Sequence, residues 1–227
     1  MNHVAAVCVL AAFGGAASAQ NLLTNPGFEE FDPVFGTPVD WNVFANDGGG
    51  ATVVTDVVRS GARAIRIDPG TAGFNGVGRN VADPNAEPND PNPTSSADIV
   101  GAAGALVFSG WYNIPDQITA PVVGVKIEYG TATGAGIGGT GDILLLDDTT
   151  GGEWREFTFT VEGDDIPSTA VRGNVILFTF GGGEGEIYWD DISLIQEADC
   201  GPADFDGNGS VDVNDLLGFL GAFRQGC

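Results

Sequence analysis

Along most of the chain, apolar residues recur in short runs or at alternate positions. The runs are 51–58, 64–68, 105–114, 122–129, 156–161, 174–180 and 186–195, separated by Gly, Pro, Asn and Asp. Runs of this length, rich in Val, Ile, Phe, Trp and Tyr and bounded by turn residues, predict β-strands. No fifteen-residue window between 21 and 195 carries a helical stripe. Many short strands with frequent turns predict an all-β fold, a jelly-roll β-sandwich.

Alternation assigns faces, because neighbouring strand residues point to opposite sides. Phe108 and Tyr112 share one face, and Ser109, Trp111 and Asn113 the other. Val123, Val125, Ile127 and Tyr129 read as core, which turns Lys126 and Glu128 outward. Phe157, Phe159 and Val161 point in. Ile192 and Leu194 also point in, and strict alternation then carries Asp190 toward the core. A carboxylate there is costly unless it is paired or bound to a metal.

Between the runs, residues 83–98 are rich in Pro, Asn and Asp and predict a long polar loop. Residues 130–141, rich in Gly, Thr and Ala, read as a second loop, and 196–199 as a short linker. The first nineteen residues read as a secretory signal. Their apolar stretch, 4–13, is far shorter than the ~20 residues of a membrane span. Ala17-Ser18-Ala19 supplies a small-residue cleavage site. The predicted organisation is a signal at 1–19, a sandwich at 20–196 and a tail at 197–227, with secretion or a cell-surface location.

Charge narrows the partners. The chain has 31 Asp and Glu against 8 Lys and Arg, a net charge of −23. Such a surface cannot neutralise phosphates, so nucleic acid is excluded as a partner. Beyond the signal, no segment has the length of a membrane span. Removing the signal leaves Cys200 and Cys227. An even pair in an exported chain reads as a disulfide, and covalent attachment through Cys227 stays open beside it.

The most specific chemistry lies in the tail. Counted as a twelve-residue loop from Asp204, oxygen side chains fall at positions 1, 3, 5, 9 and 12: Asp204, Asp206, Asn208, Asp212 and Asp215. Gly209 falls at position 6, where the chain must turn sharply, and Ser210 at position 7, where a backbone carbonyl serves. This is the oxygen cage that Ca²⁺ prefers, with Asp215 in place of the usual Glu. Leu216, Leu217, Phe219, Leu220 and Phe223 predict a short amphipathic helix after it. So small a module lacks core. The ion and a Cys200–Cys227 bridge, worth about 3.5 kcal/mol by chain entropy, would make up the deficit.

The loop and its Leu-rich helix resemble a dockerin repeat. Dockerins usually carry two repeats, and this chain has one. The Gly226-Cys227 ending resembles the single-loop, Gly-Cys-terminated tails of exported planctomycete-type proteins. The resemblance implies an attachment device, with a cohesin-like or surface-anchoring partner.

A second resemblance spans residues 21–195. Asn21-Leu-Leu-Thr-Asn25-Pro-Gly27-Phe28-Glu29, Trp41, Ser60-Gly61-Ala62-Arg63-Ala64-Ile65-Arg66-Ile67, Phe108-Ser-Gly-Trp111, Glu153-Trp154-Arg-Glu-Phe157-Thr-Phe159 and Tyr188-Trp189-Asp190-Asp191-Ile192-Ser193-Leu194 follow in order. The series resembles CenC-type carbohydrate-binding modules. It implies a structural calcium held by Glu29 and Asp190, with a backbone carbonyl near Ser60 or Gly61. Sugar recognition needs aromatic faces beside polar groups. Trp111 with Asn113, Lys126 and Glu128 is the candidate surface for a polysaccharide or glycan, and Trp41, Trp154 and Trp189 read as sandwich filling.

Catalysis finds little footing. The single His3 leaves with the signal, and no nucleophile–base set or zinc cluster appears. The adjacent pairs Asp147-Asp148, Asp164-Asp165 and Asp190-Asp191 point to opposite faces of a strand, unlike a glycosidase pair. The expectation is a non-enzyme that binds glycan. A structural surface protein using the sandwich for protein contacts, or a small glycoside hydrolase, stands as the alternative.

Overall fold

The computed structural model describes residues 21–78, 97–99, 104–131, 136–197 and 211–224. The expectations for the signal, for Asp204, Asp206, Asn208 and Ser210, and for Cys200 and Cys227 fall outside these residues.

Eleven strands are described: β1 (Asn42–Phe44), β2 (Gly50–Val54), β3 (Ala64–Asp68), β4 (Phe74–Gly78), β5 (Ala97–Asp98), β6 (Leu106–Asn113), β7 (Val122–Gly130), β8 (Gly136–Leu145), β9 (Arg155–Val161), β10 (Arg172–Phe180) and β11 (Ile187–Gln196). They form two antiparallel sheets. One has six strands in the order β1-β4-β10-β7-β8, with β5 also pairing β10; the other has five, β2-β3-β11-β6-β9. The fold is an all-β jelly-roll sandwich. Its core is the inward row of each strand: Ile65 and Ile67, Phe108 and Tyr112, Val123, Val125, Ile127 and Tyr129, Val175 and Leu177, Ile192 and Leu194. Alternation predicted most of this set, because each strand has one core-facing row.

Four expectations need correction. Residues 136–141, expected in a loop, begin β8. Glycine gives them no strand propensity, yet β7 offers a partner edge, and β8 pairs with it across two irregularities in register. Residues 97 and 98, placed in the polar loop, pair with Gly173 and Arg172 of β10. Trp41 and Trp189 are fully buried, but Trp154 is only half-buried and stands outside the core.

A fourth correction concerns Asp190. Trp189 pairs with Tyr112 and Asp190 with Trp111, but Ser193 pairs with Ser109, so Asp191 and Ile192 together face Gly110. This β-bulge inserts one residue and reverses the parity of the strand. Asp191 takes the left-handed conformation, φ 50°, which Asp tolerates better than most residues. Trp189, Ile192 and Leu194 therefore all reach the core, and Asp190 shares the outer face with Trp111. Asp190 is fully buried all the same, because the segments around Gly27 and Ser60 close over it.

The tail helix is present as α1 (Val213–Arg224). Asp212 caps it: the Asn214 N–H donates to Asp212 Oδ1 at 2.6 Å, and the Asp212 N–H donates to Asp215 Oδ2 at 2.6 Å. This reciprocal arrangement satisfies donors at the helix start. Among the described residues no helix is long and apolar enough to cross a membrane.

Candidate functional site

The opening segment is hydrogen-bonded to the last strand of the five-stranded sheet. The Ile192 N–H donates to the Pro26 carbonyl at 2.9 Å, and Asn21 Nδ2 to the Ile192 carbonyl at 3.0 Å. Asp190 Oδ2 accepts the N–H groups of Arg59 (3.0 Å) and Ser60 (3.1 Å), and Oδ1 accepts that of Asp191 (2.8 Å). Burial pushes the Asp190 carboxyl up to about 6, and Asp191 adds to this; the three backbone donors oppose it.

Glu29 lies beside the same loop. Its Oε1 accepts the N–H groups of Ala62 (2.8 Å) and Arg63 (3.2 Å), and the Arg63 guanidinium donates to the Glu29 carbonyl at 3.0 Å. Gly61, at φ +64°, sits against it; a Cβ there would lie 1.9 Å from Glu29 Oε1. Gly27 fills the gap between the acids. A Cβ on it would lie 3.5 Å from Asp190 Oδ1, 3.7 Å from Asp191 Oδ1 and 3.9 Å from Glu29 Cγ.

The structure thus brings Glu29, Asp190, Ser60 and Gly61 together, and adds Asp191 and Arg59, which sequence reasoning missed. Glu29 approaches through its methylene, its carboxylate being turned to Ala62 and Arg63. Among the described residues no three Asp, Glu, His or Cys side chains converge as a metal cage. The side-chain groups are all oxygen, the donor type of a hard cation, and in this structure both Asp190 oxygens and Glu29 Oε1 accept backbone N–H groups.

The four residues expected to bind glycan do not share a surface. Trp111 and Asn113 lie on β6 of the five-stranded sheet, and Lys126 and Glu128 on β7 of the six-stranded sheet, facing outward on opposite sides of the sandwich. Alternation alone cannot say which sheet a strand joins. The Arg59 guanidinium lies 3.8 Å over the Trp111 ring and pairs with Asp191. Asn113 is buried, its amide donating to the Gly152 carbonyl at 2.7 Å. One face of Trp111 is therefore covered, and the Asn113 amide is spent on a loop.

Lys126 and Glu128 lie beside a different set of aromatic rings. Alternation on β10 puts Ile176, Phe178 and Phe180 on the outer face, because Val175 and Leu177 are core. Phe74 stacks on Phe178 with centroids 4.6 Å apart, and lies 5.2 Å from Phe44 and 6.2 Å from Phe180. Phe44 reaches over β4 because Gly76 and Gly78 have no side chains; a Cβ on Gly76 would lie 3.0 Å from its ring. Lys126 Nζ lies 5.0 Å from the Phe74 ring and 5.8 Å from that of Phe178, and donates to Glu128 Oε1 at 2.5 Å.

This face ends in an exposed apolar strip. Gly124 pairs with Phe178 on one side and Leu145 on the other, so it forms a floor between them. Leu145 is 63% exposed and Phe180 50%. The sequence held a signal for this face: the unbroken apolar run Val175–Phe178 makes both sides of β10 apolar, which alternation onto one core does not require.

Asp147 and Asp148 do not face each other as a catalytic pair. Asp147 accepts from Arg155 at 2.6 Å and Tyr112 at 3.4 Å, and Asp148 from Gln117 at 2.9 Å. Of the tail ligands, Asp212 and Asp215 are described, and both serve the helix cap.

No protein-family model matches the chain, and no curated protein matches it in sequence. Solved structures match it in fold. It is similar to an arabinose-bound MgGH51 α-L-arabinofuranosidase, at 14% identity and a TM-score of 0.53 over 87% of this chain and 29% of that one. It is similar to the enzymatically active domain of bacteriophage CBA120 tailspike protein 4, at 11% identity and 0.53 over 78% and 21%. A TmCBM61 structure in complex with β-1,4-galactotriose matches at 16% identity and 0.48 over 79% and 100%. The chain thus spans under a third of the two enzymes, and what it shares with them is the two-sheet jelly-roll fold.

Proposed function

We propose that the protein is a non-catalytic glycan-binding module that works outside the cell. It contacts polysaccharide through the outer face of the six-stranded sheet. The observation that carries this reading is the strip where Leu145 and Phe178 flank the bare backbone of Gly124, with exposed Phe180 at the next outward position of β10 opposite Val122 and Lys126, paired with Glu128, at the next outward position of β7. Apolar side chains suit the C–H faces of a sugar ring, and a fixed polar pair suits its hydroxyls. The ordered resemblance to CenC-type modules supports the same reading.

Calcium is the proposed cofactor at two places. Glu29 and Asp190, with a backbone carbonyl near Ser60 or Gly61, would hold one ion and tie the opening segment to β11. Asp204, Asp206, Asn208, Ser210, Asp212 and Asp215 would hold a second and order the tail as an attachment device. An ion supplies the positive charge that a buried carboxylate lacks.

The test is retention on a polysaccharide panel in millimolar calcium. We expect the native chain to be retained, and Phe180→Ala to lose about tenfold in affinity with its melting temperature little changed. No retention on any polymer, or full retention of Phe180→Ala, sinks the reading.

One observation favours a protein-contact role instead. Val34 and Phe35 are 80% and 69% exposed at a loop tip, where Asp32 Oδ1 accepts the N–H groups of both. A double Val34→Ser, Phe35→Ser variant that loses cell-surface attachment but keeps glycan retention would support that role.

A further inference from the structure

The distribution of cations narrows the class of glycan, provided the outer face of the six-stranded sheet is the binding surface. We infer that this face takes an uncharged polysaccharide, a neutral hexosan or pentosan, and rejects uronate and sulfate polymers. A polyanion is held by cations free to exchange small counterions for it. This chain has 8 Lys and Arg in all, against 31 Asp and Glu.

Five of those eight are already paired with carboxylates: Arg59 with Asp191, Arg63 with Glu29 (3.8 Å), Arg66 with Asp68 (3.2 Å) and Glu186 (3.7 Å), Lys126 with Glu128 (2.5 Å), and Arg155 with Asp147 (2.6 Å). Lys126 is the cation beside the phenylalanine rings, and it is engaged twice, by Glu128 and by Phe74. An arriving carboxylate or sulfate at Lys126 would meet the Glu128 carboxylate, which lies 2.5 Å from the ammonium.

Arg172 is the other described cation on this face. It opens β10, eight residues from Phe180, so it stands roughly 26 Å from the exposed ring at ~3.3 Å per residue. In physiological salt, charges more than about 8 Å apart are largely screened. Arg172, opposite Gly130, stands close to Glu128 instead and adds little charge at the exposed ring. The strip itself offers Phe180, Leu145 and Gly124, which favour C–H surface over charge.

The experiment compares the mature chain on immobilised neutral polymers (galactan, arabinan, xylan, mannan) and acidic ones (polygalacturonate, alginate, a sulfated galactan). Each is run with chelator and with calcium, at about 20 mM and about 300 mM NaCl. We expect retention on at least one neutral polymer, changing less than about twofold with salt, and none on the acidic set. Glu128→Gln, which frees Lys126, should then gain low-salt retention on an acidic polymer.

Retention of the native chain on an acidic polymer, with or without calcium, overturns the inference and leaves glycan binding standing. No retention on either set overturns both. A Glu128→Gln variant that still rejects every acidic polymer overturns the role given to the Lys126–Glu128 pair.

Discussion

Replacing Asp190 with Asn tests how the fold carries a buried carboxylate. Asp190 is fully buried, with the N–H groups of Arg59, Ser60 and Asp191 on its two oxygens. Burial lifts its carboxyl to about 6, against about 3.9 in an unfolded chain. Between about pH 4 and 6 the folded protein keeps a proton that the unfolded chain has released. The stability from this group is therefore full below about pH 4 and is lost as pH rises through 6. Two pKa units at 1.36 kcal/mol each make that loss about 3 kcal/mol.

Asn does not titrate, so the variant lacks this slope. Its amide nitrogen replaces one acceptor, leaving one or two backbone N–H groups without a partner at a cost of about 1–3 kcal/mol. In chelator the variant should therefore be the less stable protein at pH 4 and gain on the native one by about 3 kcal/mol by pH 7. Urea denaturation of both proteins across that range, read as the difference between them, cancels the other carboxylates. A constant difference, or one that grows in favour of the native protein, refutes the reasoning. If the proposed calcium binds at Asp190, the direction should reverse in millimolar calcium, because the cation would hold the carboxylate ionised.

Gly61→Ala should cost roughly 3 kcal/mol in a thermal or urea melt, from left-handed strain and the loss of Glu29 from two backbone donors; a change under about 0.5 kcal/mol speaks against that packing. Tyr188 is pushed up to about 12 by burial and by its hydrogen bond to Glu186. In a phenolate absorbance titration of the folded protein, a step near pH 12 should vanish in Tyr188→Phe. Trp111→Ala should lower stability by about 1 kcal/mol through the lost Arg59 contact. If it also abolishes glycan retention, the binding surface belongs on the five-stranded sheet.

The strands and their core rows were legible because they rest on local alternation and on residue types that suit a pleated, half-buried surface. Val123, Val125, Ile127 and Tyr129 are all buried as that pattern requires. Glu29, Asp190 and the Ser60–Gly61 loop were grouped by the resemblance to CenC-type modules, not by any period in the sequence. Strand β8 was not, since glycine carries no side chain to display a period. The Asp191–Ile192 bulge was not, since one inserted residue reverses every assignment beyond it without leaving a mark in composition.

Tertiary structure decided which residues become neighbours. Trp111 and Lys126 each sit on the outward row of a strand, as alternation says, but β6 and β7 enter different sheets. That choice depends on pairings between strands distant in sequence, such as β7 with β10 and β6 with β11. A period of two residues fixes the side of a strand that a residue occupies. The partners of that strand, and so the surface on which the residue stands, follow only from long-range hydrogen bonding and burial.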